Sequence, residues 1–263
     1  METRVLRVFF ALATSVLGAQ TIHPHFNLDQ TALQQLLQNT EAEVQARIWQ
    51  NPFRFLMLLD RVLQSDEALY RRIDKEFSLT PTDVPSDLVS LDGQGFQTSR
   101  SGMQLRALVL PSLSSMIQAA RREGVELVII SAYRSYQTQE LLFRSYARRD
   151  GVARANQYSA RAGHSQHQLG TTLDFGNLSN EFDASPDGLW MKHNAWRFGF
   201  SLSYPRGYES QTGYQWESWH WRFIGYEATV LQREYFDDLQ FKLINWIHAH
   251  YAKLREVHQP NGP

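Results

Sequence analysis

Two short stretches concentrate the side chains that can do chemistry. In RAGHSQHQLGTTLDFG, residues 161–176, His164 and His167 precede Asp174; in QWESWHWRFIG, Glu217 stands three residues before His220. The 263-residue chain has no cysteine, so a metal ion here can draw only on His, Asp and Glu. Zinc in hydrolases takes three such ligands and keeps one position for water. His167, Asp174 and His220 can supply the three. A carboxylate beside the water, here Glu217, can accept its proton and pass it to a leaving amine. On spacing alone His164 competes with His167 as a ligand. Each half is a weak signal by itself, because a lone histidine near a strand is ordinarily a hydrogen-bonded core or surface residue. Together the halves carry more weight, since both fall beside expected strands.

A third stretch, SAYRSYQTQ, delivers Arg134 to the end of a strand, where its planar fork of donors can grip a carboxylate or a developing oxyanion; Gln139 follows on the next helix. Ser-x-Tyr-Arg-Ser-x-x-x-Gln, then Gly-His-Ser-x-His-Gln-x-Gly-x-x-x-Asp, then Glu-x-Trp-His-Trp-Arg-x-x-Gly, in this order, resembles the VanY-type zinc D-alanyl-D-alanine carboxypeptidases and the related peptidoglycan L,D-carboxypeptidases. The resemblance runs from about Leu79 to Gly225 and includes the Pro-Ser-Asp-Leu-Val approach. It implies one zinc ion on His167, Asp174 and His220, Glu217 as catalytic base, and Arg134 as a catalytic or carboxylate-holding group. It also implies substrate contacts from Ser165, Gln139 and Tyr204, and it leaves His164 outside the ligand set. Two departures stand out: Ser218 where relatives often carry Pro, and Thr171-Thr172-Leu173 where smaller or more apolar residues are common.

These side chains need a frame. VELVIISA reads as a buried strand, and GTTLDFG, FSLSY and WHWRFIG as three more, rich in β-branched or aromatic residues. Thr172, Asp174 and Gly176 share one face of theirs, with Gly176 leaving room for close approach; His220 points opposite to Trp219 and Trp221. Between strands, MQLRALVLPSLSSMIQAARREG reads as a helix that Pro111 kinks or subdivides and Gly124 stops, and a polar helix runs from about Ser135 to Arg149. The fold class is therefore α+β: a small antiparallel sheet flanked by helices, the zinc site at one sheet surface, with added N- and C-terminal helices. Residues 27–77 look helical, with Pro52 opening one helix and Leu69, Ile73 and Phe77 on a common face. Residues 78–102, dense in Pro and Gly, read as an extended connector. After Gly225 the chain is helical again, with Leu231, Tyr235, Leu239, Leu243, Trp246 and Leu254 on one face.

The expected organisation is a signal peptide over 1–19, a helical extension over 20–78, a carboxypeptidase core over 79–225 and a C-terminal helical extension over 226–263. Arg4 and Arg7 precede an apolar run from Val8 to about Ala19, too short for a spanning helix and laid out as a secretory leader. Export without disulfides suits the periplasm or cell envelope of a bacterium. Lys plus Arg (26) and Asp plus Glu (27) leave a formal charge of -1, which argues against a nucleic-acid partner. Peptidoglycan stem peptides are the expected partner, and no membrane span is expected once the leader is removed. The histidines of HPH (23, 25) and HAH (248, 250) read as solvated, and His193 and His258 carry no signal. The expected activity is removal of terminal D-alanine from stem peptides. The alternatives are L,D-cleavage of tetrapeptide stems or a non-catalytic peptidoglycan-binding module, and the retained Glu217 speaks against the latter.

Overall fold

The computed structural model describes residues 20–260; the leader expected over 1–19 lies outside the described residues. Three helices come first: α1 (Gln30–Leu36), α2 (Ala42–Gln50) and α3 (Pro52–Gln64). The Asp29 carboxylate accepts from the Ala32 N–H at 2.7 Å and so caps α1, and the Asn51 side chain accepts from the Arg54 N–H at 3.0 Å to cap α3. Pro52 occupies the first turn of α3, where its missing N–H costs nothing. The helical reading fails beyond that point. Leu69, Ile73 and Phe77 follow only a 3₁₀ turn, Glu67–Leu69, and then irregular chain. The carbonyls of Ala68, Leu69 and Arg71 accept instead from the buried Arg222 guanidinium, a tertiary demand that overrides the local period.

The connector holds β1 (Leu88–Ser90) and β2 (Gln97–Thr98), and β3 (Gln104–Arg106) pairs antiparallel with β1. Gln104–Arg106 is thus strand where helix was expected. The helix, α4 (Leu110–Arg122), starts later, and Pro111 sits in its first turn without kinking it. Gly124, at φ +76°, ends it as anticipated. There follow β4 (Val128–Ser131), α5 (Tyr136–Asp150), α6 (Val152–Tyr158), β5 (Thr172–Phe175), α7 (Pro186–Asn194), β6 (Phe200–Leu202), α8 (Glu209–Thr212), β7 (His220–Phe223), α9 (Tyr226–Tyr235) and α10 (Gln240–Val257). Positive φ at Asp237 and Asp238 breaks the last helical stretch into α9 and α10. Among the described residues no helix is long and apolar enough to cross a membrane.

The main sheet has the order β2-β4-β5-β7-β6. It is antiparallel from β4 through β6, with β2 added parallel to β4 at one edge. Its register places Asp174 directly opposite His220, and Ser131 of β4 opposite Asp174 on the other side. An irregularity between Ile129 and Ser131 inserts one residue there, which brings Ser131 into register with Asp174. One apolar core lies between this sheet and the helices α4 and α7, around Leu113, Met116, Phe175, Met191 and Phe200. A second core joins α1–α3 to α9 and α10 around Phe55, Leu59, Leu231, Leu243 and Ile247. Each such side chain, fully buried, contributes on the order of 1.5–3 kcal/mol, so the two helical flanks hold each other.

The junction of the flanks corrects the reading of the terminal histidines. His23 is buried, and Asp60 of α3 accepts from His258 Nε2 at 2.7 Å and pairs with His25 Nδ1 at 3.0 Å. Burial alone would raise the Asp60 carboxyl, but the hydrogen bonds from His258, Gln64 and His25 outweigh it and hold the group below the ordinary carboxylate range.

Candidate metal centre and peptide cleft

Three strands and one loop bring the distant residues together. His167 lies in a 3₁₀ turn, Gln166–Leu169, that ends at Gly170 in a left-handed conformation (φ +68°), from which the chain enters β5. Asp174 stands on β5 and His220 at the start of β7, cross-strand neighbours with side chains on one face. One ligand atom from each of His167, Asp174 and His220 falls within 4.8 Å of the other two, and all three residues are buried. Nε2 of His167 is 3.2 Å from Asp174 Oδ2, and Nδ1 of His220 is 3.2 Å from Asp174 Oδ1.

The surroundings fit a divalent ion. His167 Nδ1 is 2.7 Å from the Ala132 carbonyl, which fixes the proton on Nδ1 and leaves the Nε2 lone pair for a metal. His220 is held the other way round: its Nε2 lies 3.3 Å from Gln166 Oε1, leaving Nδ1 free to coordinate. Burial pushes the His220 imidazole down to about 4, against the pull of Asp174, so the ring is neutral at neutral pH, as a ligand must be. Burial alone would raise Asp174, yet the two imidazoles outweigh it and keep its carboxyl far below the usual range. Asp174 Oδ1 is buried without a hydrogen bond, a costly state for a carboxylate oxygen unless a cation meets it.

Glu217 borders this centre, with Oε2 3.3 Å from His220 Nδ1. Its position is set by the turn into β7: the Glu217 N–H donates to the Tyr204 carbonyl at 3.1 Å, and the His220 N–H donates to the Glu217 carbonyl at 3.3 Å. Burial, then the nearby Asp174, push its carboxyl well above the usual range, opposed by Arg134 and Lys75. The departure at Ser218 has a local use. Its N–H donates to Asn180 Oδ1 at 3.1 Å, a bond that proline could not make.

Arg134 leaves the end of β4 already aimed. Gln139 Oε1 accepts from one terminal nitrogen at 2.8 Å and Ser131 Oγ from the other at 2.9 Å, and the second nitrogen is 3.9 Å from Asp174 Oδ2. Ser135 caps the following helix through the Thr138 N–H, which fixes where Gln139 stands. The centre forms the floor of a cleft of about 650 Å³. Every residue expected to act lines it: Arg134, Gln139, Ser165, His167, Asp174, Tyr204, Glu217 and His220. His164 lies elsewhere, its Nδ1 2.7 Å from the Asp74 carbonyl, and is not one of the three converging residues. Gly176 also departs from expectation. A Cβ there would come within 2.3 Å of the Phe182 ring, so the glycine admits core packing rather than approach to the centre.

Residues 102–226 match the family described as VanY, D-alanyl-D-alanine carboxypeptidase. YodJ of Bacillus subtilis strain 168, which carries a carboxypeptidase name, is 32% identical over 192 residues, covering 68% of this chain and 70% of that one. The chain belongs to the VanY carboxypeptidase family. Among solved structures, the LdcB LD-carboxypeptidase is 30% identical with a TM-score of 0.59, over 66% of this chain and 83% of that one. A VanY D,D-pentapeptidase variant in complex with Zn(II) shares the fold at 23% identity, with a TM-score of 0.56 over 68% of this chain and 99% of that one.

For a VanY-family metallocarboxypeptidase, several contributing side chains were given no role by the sequence reading. Gln166 orients His220, and the Ser203 hydroxyl donates to the same Gln166 oxygen at 2.7 Å. Ser131 braces Arg134, and Asn180 holds the Glu217 turn from both sides through Ser218 and the Trp216 carbonyl. Gln166 lies between Ser165 and His167, and Ser131 opens the stretch that carries Arg134, so position within a recognised stretch was the available signal. Tyr214 of the cleft wall gave none.

Proposed function

We propose that the protein is a zinc-dependent D-alanyl-D-alanine carboxypeptidase that removes the terminal D-alanine from peptidoglycan stem peptides. The observation that carries this reading is the convergence of His167, Asp174 and His220 on one point, with Glu217 alongside and Arg134 preset across the same cleft. A zinc ion held by His167 Nε2, the Asp174 carboxylate and His220 Nδ1 would polarise the scissile carbonyl and bring the pKa of water toward about 7. Glu217 accepts a proton from the attacking water as the carbonyl carbon gains its new C–O bond. As the C–N bond breaks, Glu217 returns that proton to the departing nitrogen, so free D-alanine leaves and the shortened peptide keeps a new carboxylate. Arg134, its fork fixed by Gln139 and Ser131, meets the substrate's terminal carboxylate, which restricts the enzyme to chain ends. Ser165 and Tyr204 complete the cleft floor around the terminal residue. A peptidoglycan substrate would put the enzyme in the bacterial envelope, which agrees with the secretory leader expected from the sequence over 1–19.

A second reading is L,D-cleavage of tetrapeptide stems, favoured by the 30% identity to an LD-carboxypeptidase over four fifths of that chain's length. Both activities need the same centre and differ in the stereochemistry accepted at the penultimate residue. Purified protein is incubated with pentapeptide and tetrapeptide stems and the products are weighed. Loss of one alanine from the pentapeptide is expected; loss from the tetrapeptide alone would transfer the assignment to L,D-cleavage.

A further inference from the structure

We infer that Lys75, in the segment preceding the family-matched region, is a positioning residue of the peptide cleft: its ammonium holds the Tyr214 ring in the cleft wall and thereby sets the affinity for peptide. The inference rests on reading that cleft as the peptide site. Lys75 Nζ sits 3.6 Å from the centroid of the Tyr214 ring, an intimate cation–π contact. The same ammonium donates to the Asn156 carbonyl near the C-terminal end of α6, where a positive charge is favoured. Its stem lies against the backbone of Gly213, where a Cβ would come within 2.7 Å of Lys75 Cγ. One side chain therefore clamps α6, the Gly213–Tyr214 turn and its own segment into one unit.

This segment reaches the centre by other routes as well. The Asp74 carbonyl is bonded to His164 Nδ1, the His164 carbonyl accepts from the Tyr214 hydroxyl at 3.2 Å, and the Leu79 N–H donates to the Gly163 carbonyl at 2.8 Å. Tyr214 in turn packs on Tyr204, ring centroids 4.9 Å apart, and Tyr204 packs on His220 at 4.8 Å. Lys75 thus stands two aromatic rings behind a metal-ligand position while Tyr214 itself faces the cleft.

A half-buried ammonium is commonly paired with a carboxylate, yet among the described residues Lys75 makes no ion pair within 4 Å and is held by the Asn156 carbonyl and the Tyr214 ring instead. The groups whose charge it feels are Arg161, which opposes it, and Glu217, which favours it; Asp74 is its chain neighbour and is paired with Arg72. Burial and Arg161 push the ammonium down to about 8. The protonated form that Tyr214 requires is therefore full below that pH and lost above it.

The test compares Lys75→Met, Lys75→Arg and the unaltered chain, each zinc-loaded, using a pentapeptide stem ending in D-Ala-D-Ala. Lys75→Met is expected to raise KM about 3- to 30-fold, the range of a partly desolvated cation–π contact, with kcat changed less than about 3-fold. Lys75→Arg keeps the charge and should restore KM to within about 3-fold. In the unaltered chain KM should climb as pH passes about 8, and in Lys75→Arg that climb should vanish, because arginine stays protonated. The same ordering is expected for the peptide's Kd measured by calorimetry on a Glu217→Gln background. An unchanged KM in Lys75→Met, failure of Lys75→Arg to rescue it, or identical alkaline profiles for Lys and Arg would overturn the inference. If Lys75→Met does not fold, the pH comparison between Lys and Arg decides alone. If no stem peptide is turned over, the proposed function fails, while the Kd ordering still reports on Lys75.

Discussion

Glu217→Gln isolates the proton-transfer role better than any other single change at this site. Glutamine keeps the length and shape of the side chain and removes only its ability to take a proton. The backbone around it is held independently, by the bond from the Glu217 N–H to the Tyr204 carbonyl and from the Ser218 N–H to Asn180, so the turn into β7 should persist. Glu217 is not among the three converging ligand positions, and its contact with His220 Nδ1 is a 3.3 Å neighbour relation. Metal content should therefore stay at one ion per chain. A positioned general base contributes about 10²–10⁴ in rate, which at 1.36 kcal/mol per decade corresponds to roughly 2.7–5.4 kcal/mol of barrier. Because the carboxylate works in the transition state more than in substrate binding, the loss should fall on kcat, with KM moving little. Initial rates on a pentapeptide stem, with zinc measured on the same samples by elemental analysis, check both parts. A variant that keeps activity within about tenfold would refute the assignment of the base. One that loses zinc together with activity would make Glu217 a ligand.

Asp174→Asn removes the charge that lies between the two imidazoles and is expected to weaken zinc binding by more than the about 10- to 100-fold typical of losing an outer partner. Metal titration against a competing chelator reads this directly, and unaltered affinity would remove Asp174 from the ligand set. At the junction of the flanks, the depressed Asp60 carboxyl gives a signed pH effect. Its folded-state value lies below its unfolded one, so its stabilisation is complete above the ordinary carboxylate range and is lost as pH falls through the depressed value. Asp60→Asn should cost about 1–3 kcal/mol at neutral pH and flatten the acid limb of the stability curve, as followed by urea unfolding monitored at several pH values. An acid limb identical to that of the unaltered chain would show that the carboxylate is not what acid attacks.

What could be read in advance and what could not divide along a physical line. His167, Asp174, Glu217, His220 and Arg134 declare themselves because metal chemistry demands particular residue types, and the strands carrying them are short apolar runs with the sheet's own period. Their expected roles are legible within three brief stretches, although Tyr204 and Asn180, which hold the Glu217 turn, lie outside them. The misread parts depend on partners far away in sequence. Leu69, Ile73 and Phe77 keep a helical spacing, but Arg222 captures the carbonyls that a helix would need, from about 150 positions along the chain. His258 and Asp60 are 198 residues apart and acquire meaning only once the two flanks meet. Pro111 is ambiguous in sequence because a first-turn proline and a kinking proline look alike until the start of the helix is known.

The same line explains why the helical flanks matter to a site whose candidate ligands all lie within the matched core. Arg222 follows His220 by two residues on β7, and its guanidinium is spent on the irregular chain after α3. Gln166, which orients His220, shares the Ser203 hydroxyl with Gln240, the first residue of α10. Both sides of the sheet's active end are thus tied to segments outside the family match, one before it and one after. Those two segments are joined to each other through the core formed by α1–α3 with α9 and α10. Loosening that core removes support from the residues around His220 without altering a single ligand. Damage to the flanks should therefore appear as weaker metal and peptide binding before it appears as loss of the sheet, because the strands keep their own core around Leu113, Phe175 and Met191.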